Sequence, residues 1–172
     1  MWRPENVGGI TDDVRMTAFH PTIDTILDAF FPPLIAESHG VLRDRMIRVM
    51  TAIDRFLEAE GELILTPDDS VMLAAERQFT GKGAFVRTMH ADDLIFALPG
   101  FLSPPWLHPN PLMQRVQLTV VQRLVEFVRD QVGLDRLGVE LPLAEIRVTI
   151  LNARRELNRV QKESRRIREI PP

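Results

Sequence analysis

Residues 41–60 read VLRDRMIRVMTAIDRFLEAE, and their apolar side chains recur at steps of three and four residues. That spacing places the apolar side chains on one face of an α-helix, while most charged side chains lie on the other faces. The apolar stripe consists of Leu42, Met46, Val49, Met50, Ile53, Phe56 and Leu57. Gly61 follows at the position where glycine commonly ends a helix. The segment therefore predicts an amphipathic helix that packs on a core.

Other segments repeat this helical pattern. We predict further helices of the same body near 22–31, 67–79, 84–98 and 111–132. Thr66-Pro67 forms a strong helix start, because a threonine hydroxyl caps well and proline suits the first helical position. Pro32-Pro33 is expected to end the first of these helices. In the helix near 67–79 the side chains expected to face inward are Val71, Met72, Ala75 and Phe79.

Three Asp-Asp pairs stand at predicted helix starts, where acidic residues interact favourably with the helix dipole. They are Asp12-Asp13, Asp68-Asp69 and Asp92-Asp93. The first of them follows an extended segment, 1–10, and begins a helix that ends before Pro21. A small β element is an alternative near 62–65 or 137–141.

A proline-rich apolar loop is predicted at 99–111, inside an uncharged stretch that covers residues 94–114. One interpretation is a buried crossover that wraps the core. The other is a preformed contact surface, because prolines hold such a loop at a low entropic cost. On that second interpretation, the side chains that would contact a partner are Phe101, Leu102, Trp106 and Leu107.

The C-terminal segment, 142–172, carries a heptad repeat that is typical of a coiled-coil helix. Its a positions are Leu143, Ile150, Leu157 and Ser164, and its d positions are Ile146, Ala153, Val160 and Ile167. We expect residues 142–153 to pack on the body and residues 154–170 to project toward a partner helix. Leu157, Val160 and Ile167 are the predicted partner contacts. The alternative is a long core helix that packs on its own domain throughout.

This C-terminal segment is also basic, although the whole chain has a net charge of −3. Residues 143–172 contain eight Arg or Lys and four Glu, whereas residues 1–142 contain 13 basic and 20 acidic residues. The basic patch consists of Arg154, Arg155, Arg159, Lys162, Arg165, Arg166 and Arg168. Such a patch suits nucleic acid, an anionic surface or an acidic protein, including the body of another copy.

Composition excludes several classes of protein. The absence of cysteine excludes disulfides, zinc–thiolate sites and cysteine nucleophiles. The N-terminus lacks the apolar stretch of a secretory signal, and the sequence has no apolar run long enough to span a membrane. We expect a cytoplasmic location or a place within a macromolecular assembly.

Candidate catalytic chemistry is sparse in the sequence. Glu37, His39, His90 and Asp92 are weak candidates for a metal or small-molecule pocket, but no spacing in the sequence brings them together. The Gly81-Lys82-Gly83 segment lacks the spacing of a phosphate loop and is interpreted as an interhelical turn. We expect no cofactor.

The sequence thus predicts an all-α protein, with a compact bundle of about five helices at 11–141 and a long heptad-patterned helix after it. Our leading functional hypothesis is a non-enzymatic structural or accessory subunit, such as a virion component, that docks through the C-terminal helix and the apolar loop. One alternative is a helical enzyme or ligand-binding protein with a pocket near His39 and His90. Another is nucleic-acid binding through the basic helix.

Overall fold

The computed structural model describes residues 21–132 and 138–168, with side chains for 21–131 and 138–163. The regular structure in these ranges is helical. It consists of α1 (Ile23–Ala36), α2 (Gly40–Glu60), a 3₁₀ helix (Gly61–Ile64), α3 (Pro67–Phe79), α4 (Ala84–Thr88), α5 (Ala91–Phe101), α6 (Pro111–Val132) and α7 (Glu140–Arg168). Among the described residues, no helix has the length and apolar character that a bilayer crossing requires. The predictions for 1–20 lie outside these ranges. The β element predicted near 137–141 is wrong over its described residues, because Gly138 forms a turn and α7 already begins at Glu140.

Capping groups at the predicted positions begin several helices. The Thr66 hydroxyl accepts a hydrogen bond from the Asp69 backbone N–H at 3.3 Å, which starts α3. The Asn110 side-chain oxygen accepts from Leu112 N–H at 3.0 Å and from Met113 N–H at 3.2 Å, which starts α6. These side chains satisfy backbone donors that have no partner within the helix. The starts predicted for α3 and α6 are therefore confirmed.

Two local predictions are wrong and a third is confirmed. Helix α1 continues through Pro32 and Pro33 to Ala36, because apolar residues on both sides of the prolines are buried and hold the segment in place. The helix start predicted at Asp92-Asp93 is confirmed, since the segment 84–98 forms two helices and the second begins at Ala91, where the Asp93 carboxylate accepts from the His90 backbone N–H at 2.9 Å. Residues 61–64 form a 3₁₀ helix rather than a β element.

The core is built around α2, which packs against α1, α4, α5 and α6. Its predicted stripe is buried or half-buried apart from Leu42, which is exposed. Two aromatic groups mark this core. Phe30 lies between Phe31 and Phe127, and Phe56 lies between Phe101 and Trp106, with ring centroids 5.1–5.5 Å apart. Helix α7 covers α5 and α6 on the outside of this arrangement.

Helix α3 has the predicted bounds, but the face that was predicted to be buried is exposed. The residues expected to face inward, Val71, Met72, Ala75 and Phe79, are all exposed. Leu73 is the buried residue of this helix instead. At 100° per residue, Leu73 lies on the side of the helix away from the apolar stripe. Because α3 packs mainly on α4 and not on several helices, Leu73 alone is buried in that contact.

Candidate functional site

The large apolar side chains of the proline-rich loop are covered by its own chain, whereas Pro104, Pro105 and Pro109 are exposed. Helix α5 extends through Pro99 to Phe101, so the loop begins only after that residue. Phe101 is 0% exposed and Leu102 is 1% exposed, whereas Trp106 and Leu107 are half-buried against the core. The predicted partner contacts Phe101 and Leu102 are therefore wrong, because the core already covers their side chains.

Gln117 attaches this loop to α6, a role that the sequence analysis missed. Its side-chain amide donates hydrogen bonds to the carbonyls of Phe101 and Trp106, both at 3.1 Å. Its side-chain oxygen accepts from the His108 backbone N–H at 2.9 Å. All three partners are backbone groups that folding removes from water. The Gln117 side chain therefore supplies the hydrogen bonds that water would otherwise make to them. A buried glutamine inside an apolar stripe is the signal that points to such an attachment.

The heptad seam of α7 faces its own chain over most of its described length. Ile146, Ile150 and Leu157 belong to the core, and Leu143 and Ala153 pack against it. The Arg115 guanidinium on α6 donates hydrogen bonds to Asn158 at 3.1 Å and to Gln161 at 2.9 Å. The boundary predicted at residue 153 is therefore wrong, since packing on the body continues to Gln161.

Leu157 is thus covered by the body and not available to a partner helix. Val160, which follows it, is 43% exposed. The third predicted seam contact, Ile167, lies outside the described side chains, as do Arg165, Arg166 and Arg168.

The basic residues of α7 lie mainly on the face away from the body. Arg155, Arg159 and Lys162 are exposed, whereas Arg154 is half-buried. The spacing of Arg155, Arg159 and Lys162 places them on one side of the helix, opposite to Leu157. Arg159 forms an exposed ion pair with Glu156 at 2.6 Å, which leaves Arg155 and Lys162 as the other cations of this face.

The four weak metal candidates do not converge. The His90 backbone bridges to Thr22 at the start of α1, and His39 follows the end of that helix. Helix α1 has 14 residues, and so separates these two ends by about 20 Å. Within the described ranges, no group of three His, Cys, Asp or Glu side chains is arranged to hold a metal ion. The alternative in which Glu37, His39, His90 and Asp92 share one pocket is therefore wrong, because the fold holds His39 and His90 apart.

Several helices expose large apolar side chains, and the most exposed of them lie on or next to α3 and α7. On α3 and the 3₁₀ helix before it, the exposed fractions are 81% for Leu63, 70% for Val71, 50% for Met72 and 85% for Phe79. On α7 the exposed apolar residues include Leu141, Val148 and Leu151. Exposed apolar side chains grouped on one side of a helix, as Val71, Met72 and Phe79 are, commonly mark a place where proteins associate. We call the first set, Leu63, Val71, Met72 and Phe79, the α3 face.

A cleft between α1 and α2 has a volume of about 760 Å³. Its apolar lining includes Leu27, Phe31, Met50, Val86 and Trp106. Four acidic residues stand in the same cleft, namely Asp24 and Asp28 from α1 and Asp54 and Glu58 from α2. Lys82 and Arg55 also line it. We call this site the acidic cleft.

The acidic residues of the cleft act on one another. Burial raises the pKa of Asp54, and the negative charges of Asp24, Asp28 and Glu58 raise it further. The Lys82 ammonium opposes this effect by lowering the pKa of Asp54. The ionised cleft therefore carries mutual repulsion that one lysine offsets only in part.

The Gly81-Lys82-Gly83 segment is the interhelical turn that the sequence predicts. The Arg87 guanidinium donates hydrogen bonds to the carbonyls of Lys82 at 2.9 Å and Thr80 at 3.2 Å, which holds the turn against α4. Gly83 has a φ of +75°, a conformation that favours glycine. The turn places Lys82 at the edge of the acidic cleft.

The sequence analysis missed the acidic cleft, although a signal for it exists. Asp24 and Asp28 are four residues apart, and so are Asp54 and Glu58. Like charges at this spacing on a helix are destabilising. Two such pairs on successive helices indicate an acidic surface, but only the packing of α1 on α2 brings them together.

We compared the chain with protein-family models, with curated proteins and with solved structures, and none of them matches it. Any inference about its function therefore rests on the residues and their arrangement. They direct attention to two surfaces, the α3 face and the acidic cleft.

Proposed function

We propose that the protein is a non-enzymatic structural or accessory subunit of a larger protein assembly. The observation that carries this proposal is the α3 face, where an amphipathic helix turns its apolar side outward. Fully burying a valine or phenylalanine side chain contributes about 1.5–3 kcal/mol each. A partner that covers this face would therefore gain a substantial part of its binding free energy there.

The arrangement of α3 supports this proposal. Its inner side is already occupied through Leu73, so the outer apolar residues add nothing to the packing of this chain. Phe79, at 85% exposure, is the clearest case. Aromatic side chains are favoured as anchors in protein interfaces because they bury a large area with few rotatable bonds.

Under this proposal a partner contacts α7 on a different side from the heptad seam. The seam residue Leu157 packs on its own chain, whereas Val148 and Leu151 are 56% and 54% exposed. The C-terminal helix thus remains a docking element of the proposed assembly, with its outward apolar residues in place of the heptad seam.

A neutral double variant of the α3 face tests this function. We expect Val71→Ser with Phe79→Ser to remove association without unfolding the chain, because both side chains are solvent-exposed. The matched control is Ala29→Ser with Ala36→Ser, which alters two exposed positions on α1, outside this face. A photo-crosslinking residue at Gln78, itself exposed on α3, reports the neighbour in native cells.

The expected result is one abundant crosslinked protein, or a crosslinked second copy, that disappears in the double variant and persists in the control. When the crosslink is made in cell lysate at about 500 mM salt, the same adduct should still form, because apolar contacts are not screened. An adduct pattern that is the same in both variants would contradict the proposed function.

A further inference from the structure

We propose that the acidic cleft of one copy binds the basic end of α7, residues 154–168, of a second copy. This proposal deepens the proposed function, because it names a partner, but it uses surfaces other than the α3 face. Two observations carry it, namely the charge complementarity of the two surfaces and the match between their spacings.

The charges of the two surfaces are opposite. Residues 154–168 contain seven Arg or Lys and two Glu. The cleft presents four carboxylates, two from each of two neighbouring helices, against the two cations Arg55 and Lys82. Opposite potentials of this kind guide association and fix the orientation of the partners.

The spacings also match. On α7, Arg155 and Arg159 are four residues apart, and Lys162 and Arg166 repeat that interval on the same side of the helix. The two acidic pairs of the cleft have the same interval of four residues, which is about 6 Å along a helix surface. A basic helix can therefore place successive cations beside successive carboxylates.

The lining of the cleft suits arginine and lysine more than a bare cation. Long apolar stems of these side chains can cover Leu27, Met50 and Trp106, while their charged ends reach the carboxylates. Arginine also binds carboxylates in a two-pronged geometry that a simple ion lacks.

The stability of the empty cleft is consistent with such a partner. The like-charge pairs and the raised pKa of Asp54 show that the ionised carboxylates repel one another. Cations from a second copy would relieve this repulsion, so binding gains free energy that the isolated chain lacks.

The two surfaces lie on different parts of each copy. Helix α7 packs on α5 and α6, whereas the cleft is formed by α1, α2 and the turn before α4. Two copies that exchange their basic helix ends form a closed dimer, whereas copies that each contact a different neighbour extend into chains or close into rings.

Sedimentation velocity of nuclease-treated full-length protein tests the proposal. We expect association that increases with concentration over about 5–200 µM, in the range of a moderate protein interface. It should weaken at least about tenfold between about 50 and 500 mM NaCl, because the contact is mainly ionic. The cleft variant is Asp28→Asn with Asp54→Asn, and the helix variant is Arg155→Gln with Lys162→Gln.

Each variant alone should weaken association at least about tenfold, because each removes two of the ionic contacts. An equimolar mixture should recover a dimer, since one variant keeps an intact basic helix and the other keeps an intact cleft. The matched controls, Glu37→Gln with Asp44→Asn and Arg43→Gln with Arg48→Gln, remove the same charge from exposed positions outside the two surfaces and should associate normally.

Several results would overturn this proposal. Wild-type protein that stays monomeric at low salt would do so, as would a cleft variant that associates normally or a mixture that recovers no dimer. A salt-sensitive complex with random-sequence duplex DNA, lost in the helix variant and unchanged in the cleft variant, would favour nucleic acid as the partner if the protein alone is monomeric.

The α3 double variant separates this proposal from the proposed function. It should leave the salt-sensitive association unchanged, because serine alters no charge. Loss of that association in the α3 variant alone would overturn the cleft proposal and support the α3 face. Loss of the salt-sensitive association only in the cleft and helix variants, with the same crosslinks in the α3 double variant as in the wild type, would support the cleft proposal and contradict the proposed function.

Discussion

Helices α3 and α5 begin in the same way, yet they are buried to very different extents. Each has an Asp-Asp pair in its first turn, and each carries several apolar residues. Helix α5 buries six of them, because it contacts α1, α2, α6 and α7. Helix α3 packs mainly on α4 and buries one. Local chemistry thus sets where a helix starts, and the number of neighbouring helices sets which side chains it buries.

The largest expected effect comes from the same substitution at two phenylalanines. Phe101→Ala should lower the free energy of unfolding by about 3–5 kcal/mol, because it leaves a cavity in the core beside Phe56. Phe79→Ala should change it by less than about 0.5 kcal/mol, because Phe79 is exposed. Urea denaturation of both variants measures the difference. Equal losses would show that α3 is more deeply packed than its exposure indicates.

The second-largest expected loss of stability comes from releasing the loop that follows α5. Gln117→Leu should lower the free energy of unfolding by about 1–3 kcal/mol, because the carbonyls of Phe101 and Trp106 lose their side-chain donor. Emission from Trp106 should shift to longer wavelength as the loop loosens. Gln122→Leu, at a half-buried position on the same helix, is the control. Unchanged stability and emission in Gln117→Leu would show that apolar packing alone holds the loop.

A smaller effect is expected at the start of α3. Thr66→Ala should cost about 1 kcal/mol, because the Asp69 backbone N–H loses its capping oxygen. Thr66→Ser keeps the hydroxyl and should restore stability. Urea denaturation followed by circular dichroism measures both variants. If serine fails to restore stability, the methyl group of Thr66 and not its hydroxyl supports the helix start.

The smallest effect concerns charge at the protein surface. The pKa of Asp54 is raised in the folded chain by burial and by the charges of Asp24, Asp28 and Glu58, while Lys82 lowers it and Arg55 also faces the cleft. A raised pKa means that ionisation disfavours the folded state. Asp54→Asn should therefore be more stable than wild type at neutral pH.

This gain should shrink as the pH falls and disappear below pH 3.8, the ordinary pKa of an aspartic acid, where Asp54 is protonated in both states. Thermal unfolding between about pH 3 and pH 7 measures the difference. Asp44→Asn removes a charge from the same helix outside the cleft and is the control. A lower stability of Asp54→Asn at neutral pH would mean that the contact with Lys82 outweighs the repulsion.

The acidic cleft required both kinds of information. Its like-charge pairs are visible in the sequence at intervals of four residues. Their convergence is not, because it depends on which faces of α1 and α2 meet. The same holds for His39 and His90, which the sequence left unplaced and the length of α1 separates.

The amino-acid sequence by itself determined the all-helical class and the ends of α3 and α6, because caps and prolines act within one turn of a helix. It also determined the opposite charges of the body and the C-terminal segment. Only the tertiary structure decided that the α3 face points outward, that Phe101 is buried and that α7 packs on the body as far as Gln161. Burial depends on the neighbours that surround a helix, and a periodic pattern contains no information about those neighbours.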